Sequence, residues 1–130
     1  MTAEPGPALR VLFVDDDEAT REGYALLLTN LGYVVIPAVT GRQALTLATI
    51  TAPNVIVLDL GLPDIDGWEV ARQLKAAPAT SAIPIIALTG ADLTHERVSA
   101  MRAGCDRHLT KPCLPADLVD AIERCTKAAT

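Results

Sequence analysis

Aromatic residues are nearly missing from this chain of 130 residues, which has one Phe, one Trp and two Tyr. Surfaces that stack the bases of single strands are built on such rings, so that class of ligand is disfavoured. Positive charge is scarce too. Eleven Lys and Arg stand against sixteen Asp and Glu, a formal net charge of −5, and a surface of that sign does not track phosphates. Direct nucleic-acid binding is therefore not expected. Cys105, Cys113 and Cys125 form an odd set with neither C-x-x-C spacing nor companion histidines, so they suggest no disulfide framework and no zinc site and read as buried or idle thiols. No apolar run approaches the roughly 20 residues that cross a membrane, and Met1-Thr2-Ala3-Glu4-Pro5-Gly6-Pro7 lacks a signal peptide's basic and apolar regions. A cytoplasmic protein without membrane contact is expected. Internal repeats and heptads are also lacking, and the length suits one core: residues 1–8 are expected to be a disordered tail and 9–127 a single domain.

What the chain does have is apolar residues, at half of all positions, arranged in an alternating order. Extended segments at about 9–14, 33–37, 54–59, 83–88 and 106–110 alternate with five helical ones. The first helix, about 18–31, places Tyr24, Leu27, Leu28 and Leu31 on one face and stops at Gly32. The second, about 41–51, has Thr40 and Gln43 at capping-box spacing with Ala44, Leu47 and Ala48 as its stripe. The third, about 67–76, has Asp66 and Glu69 at the same spacing and turns Val70 and Leu74 inward. A fourth starts near Thr94, with Leu93 and Val98 as a staple, and ends at Gly104. Pro115 opens a fifth, with Leu118, Ile122 and Cys125 at helical spacing.

This pattern predicts an α/β fold: a flavodoxin-like, doubly wound, five-stranded parallel sheet with helices on both faces. The second extended segment ends in Pro37 and the fifth, Asp106-Arg107-His108-Leu109-Thr110, is largely polar, so these two should be edges. An order of 2-1-3-4-5 satisfies that, and right-handed crossovers put helices one and five on one face and two, three and four on the other. Ligands of such sheets bind beyond the carboxyl ends of the strands. There the chain carries Asp15-Asp16-Asp17-Glu18 after the first strand and Asp59 at the end of the third. Gathered carboxylates repel one another, so a hard cation is expected between them. Asp17 and Glu18 read as capping acids for the first helix, Asp64 and Asp66 as turn and cap residues, Trp68 as a surface packing residue and His95 as a solvated one.

Four loops thus carry Val14-Asp15-Asp16, then Leu58-Asp59-Leu60-Gly61-Leu62-Pro63-Asp64-Ile65-Asp66-Gly67, then Ala87-Leu88-Thr89-Gly90, then Leu109-Thr110-Lys111-Pro112. In that order the set resembles the receiver domain of two-component response regulators of the chemotaxis-regulator type, over about residues 9–127. The resemblance implies that Asp59 accepts a phosphoryl group from the phosphohistidine of a histidine kinase or phosphotransfer protein. It also implies Mg²⁺ (or Mn²⁺) held by Asp15, Asp16, Asp59 and the Gly61 backbone carbonyl. Lys111 would pair with Asp59 and later with the phosphoryl group, Thr89 would donate a hydroxyl hydrogen bond to it, and a cis bond would precede Pro112. Thr89 and His108 would form the switch, altering the face made by the fourth helix, fifth strand and fifth helix, which binds an unidentified downstream protein. The domain would signal rather than act as an enzyme on others, assisting its own phosphorylation and dephosphorylation, as a monomer or a phosphorylation-dependent dimer and without a fused output domain.

His108 departs from the family, which most often has Phe or Tyr there. Its ring costs more to bury when protonated, so switching would favour higher pH; a rewired output face is the rival reading. Small residues, Gly61 and Ala91, flank the site and imply an intermediate phosphoryl lifetime. Other readings are a constitutive pseudo-receiver interaction module and a receiver fragment of a hybrid histidine kinase. A dehalogenase-type phosphatase is only half matched by Asp15, Asp17 and Ala19, and a flavin carrier would need a phosphate loop after the first strand.

Overall fold

Val11-Leu12-Phe13-Val14 has no polar face, and in the computed structural model, which describes residues 8–89, 104–111 and 113–127, it lies inside a sheet. Strands β1 (Arg10–Val14), β3 (Val55–Asp59) and β4 (Ile85–Thr89) form the centre, with β2 (Val34–Ala38) and β5 (Arg107–Thr110) at the edges. All pairs are parallel and the order is β2-β1-β3-β4-β5, as the polarity of the segments predicts. Every residue of β3 is buried and none of β5 is, so sequence polarity and position in the sheet agree.

Alternate residues of these strands serve two cores. Leu12, Val14, Ile56, Leu58, Ile85 and Ala87 meet α2 (Gly41–Thr51) and α3 (Gly67–Ala76) through Ala44, Ala48, Val70, Ala71 and Leu74. Val11, Phe13, Val55, Val57, Ile86 and Leu88 meet α1 (Glu18–Asn30) and α4 (Pro115–Lys127) through Leu28, Leu118, Ala121 and Ile122. Each such large side chain contributes about 1.5–3 kcal/mol on burial, so both faces are strongly held. Among the described residues there are four helices, on the faces expected of them. The helix expected from Thr94, with its Leu93 and Val98 staple, lies outside the described residues, as do the tail at 1–7, Gly90, Ala91, His95 and Pro112 with its expected cis bond.

Several caps differ from expectation. Asp17 does cap α1, accepting from the Thr20 N–H at 2.9 Å, and Gly32 follows at φ 98°. Thr40 caps α2 by accepting from the Gln43 N–H at 3.1 Å, but the Gln43 side chain accepts from Val39 N–H (2.7 Å), one residue earlier than a capping box requires. Asp66 stands at the N-cap position of α3 with no side-chain cap bond: the Glu69 N–H donates to the Asp66 carbonyl at 2.9 Å, and the Glu69 carboxylate accepts from Arg72 and Gln73. Leu31, expected on the core face of α1, is its C-cap and 55% exposed; the helix ends before that position turns inward.

Candidate functional site

Strand ends position the acids. β1 stops at Val14, and Asp15 continues its line, the Asp15 N–H donating to the Ala38 carbonyl at 3.1 Å. Its side chain is fully buried, while Asp16 is exposed and Asp59, the last residue of β3, is 7% exposed. One carboxylate oxygen from each of Asp15, Asp16 and Asp59 lies within 4.8 Å of the others. Oxygens in octahedral contact with Mg²⁺ at about 2.0–2.1 Å are about 3–4 Å apart, so this donor set fits a small hard cation with little adjustment.

The buried oxygens are further satisfied by the protein. Asp15 Oδ1 accepts from the Asp17 N–H at 2.9 Å, and the Asp15 carbonyl accepts from the Arg21 guanidinium at 3.0 Å. Asp59 Oδ1 accepts from the Gly61 N–H at 3.1 Å. Lys111, just past β5, brings its ammonium 2.7 Å from Asp15 Oδ2 and 3.4 Å from Asp59 Oδ1. The expected Lys111–Asp59 pair is thus present but secondary: the ammonium sits closer to the more deeply buried carboxylate, where its attraction is less screened. Three carboxylates and one ammonium leave two formal negative charges, which a divalent cation balances.

Burial pushes the Asp59 carboxyl above its ordinary range; the Gly61 N–H and Lys111 oppose this, and the Asp15 charge adds to it. For Lys111, burial alone would lower the pKa, but its bonds to Asp15 and the charges of Asp59 and Asp15 outweigh it and raise the value. Asp17 is held low by Thr20, consistent with a cap. The tertiary fold therefore shifts two acids of one neighbourhood, Asp59 and Asp17, in opposite directions.

Among the other expected site residues, Gly61 lies beside Asp59, where a Cβ would sit 3.8 Å from Oδ1. Thr89 ends β4, its Cα paired with Thr110; its side chain lies outside the description. His108 is half-buried in β5, opposite Ala87. Sequence reasoning missed Arg21, whose placement one turn past the Asp17 cap is the only hint of its bond to Asp15. It placed Tyr24 on the inward face of α1 but not its hydroxyl: the ring stacks on Phe13 at 5.5 Å and the hydroxyl donates to the Cys113 carbonyl at 2.9 Å, tying α1 to the segment that carries Lys111. A groove of about 550 Å³ beside Lys111 is lined by Ala19, Thr20, Gly23, Tyr24, Leu27 and Pro115.

Comparison with known proteins agrees with this geometry. The family described as response regulator receiver domain matches residues 11–123. The response regulator MprA of Mycolicibacterium vanbaalenii is 43% identical over 104 residues, 80% of this chain and 44% of that protein, so the chain spans less than half of that relative's length. A solved structure of a putative response regulator from Chloroflexus aurantiacus superposes with a TM-score of 0.89 at 30% identity, covering 93% of this chain and 99% of that one. The receiver domain of a sensor histidine kinase from Pseudomonas aeruginosa, with a magnesium ion coordinated in its active site cleft, gives a TM-score of 0.87 at 30% identity, covering 93% of this chain and 99% of that one.

Proposed function

This chain belongs to the response regulator receiver domain family of two-component signalling, and from that premise we propose that Asp59 accepts a phosphoryl group from a phosphohistidine. The donor is a histidine kinase or a histidine phosphotransfer protein. An oxygen of Asp59 forms the new bond to phosphorus as the phosphorus–nitrogen bond breaks and its electron pair returns to the imidazole. The obstacle is charge, since one anion must approach another. Lys111 answers it from the protein side, its ammonium lying between Asp15 and Asp59 and within reach of both. Asp15, Asp16 and Asp59, with the Gly61 carbonyl, would hold Mg²⁺ or Mn²⁺, which when bound neutralises the phosphoryl oxygens and keeps them in line. The observation that carries this reading is the convergence of those three carboxylates and Lys111 at the ends of three strands.

Thr89 and His108 serve as the switch. Both lie on neighbouring strands, β4 and β5, one end of which faces the acceptor. The domain signals by offering an altered surface, made by the expected helix after Thr94, β5 and α4, to a downstream protein, as a monomer or a phosphorylation-dependent dimer, in the cytoplasm. Among the described residues no helix is long and apolar enough to cross a membrane. The groove beside Lys111 leaves that side of the site open to a bulky donor. A second reading, a receiver segment of a hybrid kinase, is favoured by the likeness to the Pseudomonas kinase domain. Intact mass after exposure to a small phosphodonor with Mg²⁺ tests the central claim: the parent gains one phosphoryl group and Asp59→Asn gains none. A parent of unchanged mass would refute it.

A further inference from the structure

Asp64 belongs to the loop between β3 and α3, yet its carboxylate caps a different helix. Its Oδ1 accepts from the Gly41 N–H at 2.8 Å and its Oδ2 from the Arg42 N–H at 3.0 Å, donors at the start of α2 that lack helical partners. The Arg42 and Gly41 amides hold the exposed Asp64 carboxyl below its ordinary range, so it remains an anion at the positive end of α2. The approach depends on Gly41. A Cβ there would stand 2.8 Å from Val70 Cγ2, 3.1 Å from Ile65 Cβ and 3.3 Å from Asp64 Oδ1, so a larger residue would push the loop from the helix.

The clasp closes a circuit around the acids. On one side, the loop begins at Asp59 and passes Gly61, whose N–H holds Asp59 Oδ1. On the other, Gln43 of α2 holds Val39 through its side chain, and the adjoining Ala38 carbonyl accepts from the Asp15 N–H. The Asp15 and Asp59 sides of the crevice are therefore joined in three ways: by the β1–β3 pairing, which ends at Val14 and Leu58, directly by Lys111, and through the start of α2. The pairing holds the strand ends but not the loop past Leu60; the link through α2 holds that loop while Lys111 follows a phosphoryl group.

We propose that Asp64 is a positioning residue: by fastening the acceptor loop to the start of α2, it sets the place of Gly61, and through the Gly61 N–H the orientation of the Asp59 carboxylate, relative to Asp15 and Asp16. It touches neither the cation nor the phosphoryl group. The inference rests on the Mg²⁺-dependent phosphoacceptor reading above. Loss of the clasp loosens the loop without unfolding it, because Leu60 and Leu62 stay buried in the core beneath.

Calorimetric Mg²⁺ titration of the full chain, beside thermal melts, tests it. Asp64→Ala should weaken Mg²⁺ binding about tenfold, the usual scale for losing a group that orients ligands, and Asp64→Asn, which keeps one acceptor, should recover part of that loss. Thr80→Ala is the structural control: Thr80 is buried at the far end of α3 with its hydroxyl on the Leu74 carbonyl (2.6 Å), so this variant should melt lower yet bind Mg²⁺ as the parent does. Unchanged affinity in Asp64→Ala, or an equal loss in Thr80→Ala, would overturn the positioning role alone. A parent that binds no Mg²⁺ would overturn the phosphoacceptor reading and this inference with it.

Discussion

Replacing Asp59 by Asn should stabilise the metal-free domain, although it removes one partner of an ion pair. At an effective dielectric of about 20, attraction to Lys111 at 3.4 Å is worth about 5 kcal/mol, and repulsion from Asp15 across up to 4.8 Å about 3.5 kcal/mol. Asp16 is exposed, and its screened repulsion is on the order of 1 kcal/mol. These contributions nearly cancel, so the burial of a charge on Asp59 decides the sign, and the raised pKa has burial as its largest cause. Asn keeps an oxygen for the Gly61 N–H and leaves Lys111 with Asp15, its closer partner. The expected gain is on the order of 1–2 kcal/mol, or a melting point higher by about 3–8 °C.

Saturating Mg²⁺ should reverse the order. A ligand at 100 times its dissociation constant stabilises by about 2.7 kcal/mol, and the parent should receive this while Asp59→Asn receives little of it. The pH dependence has a definite sign. Because Asp59 titrates higher in the fold than unfolded, the native state binds the proton first, so its burden on stability is full above the folded pKa and is lost as pH falls towards the unfolded value near 3.9. The difference in melting point between Asp59→Asn and the parent should accordingly be largest at neutral pH and shrink in acid. Scanning calorimetry with chelator, repeated with Mg²⁺ and at several pH values, measures all of this. An Asp59→Asn protein that melts below the parent without metal at neutral pH would refute the reasoning.

Lys111→Met should cost about 2–4 kcal/mol in urea denaturation, because it strands the fully buried Asp15, and most of the loss should vanish when Asp15→Asn is added. Gly67→Ala should cost about 1–3 kcal/mol and slow phosphorylation by a small phosphodonor, because its Cβ would meet the Leu60 Cα at 2.5 Å and the Asp59 carbonyl oxygen at 2.6 Å. Thr40→Ala should cost about 1 kcal/mol through loss of the α2 cap, and Asp66→Ala should lower the melting point less, since Asp66 makes no cap bond. Parallel melts of the two variants check that ranking.

The strand order, the two cores and the place of the acids were legible in the chain because each rests on a short-range pattern. A run such as Val55-Ile56-Val57-Leu58 has no polar face, and an acid that follows it must emerge at the strand's end wherever the sheet forms. Partner choice rests on no such pattern. Lys111 and Asp15 are 96 positions apart, and Asp64 and Gly41 are 23 apart. Which carboxylate receives the ammonium, and which helix receives the Asp64 cap, depends on how closely packed faces bring these groups together. Hence the expected cap at Asp66 failed while Asp64 capped a helix it does not precede. The chain alone determined that Asp15, Asp16 and Asp59 emerge at the same end of the sheet; the tertiary packing decided how they are held, because hydrogen bonds and ion pairs strengthen and weaken over distances far shorter than any periodicity in sequence can specify.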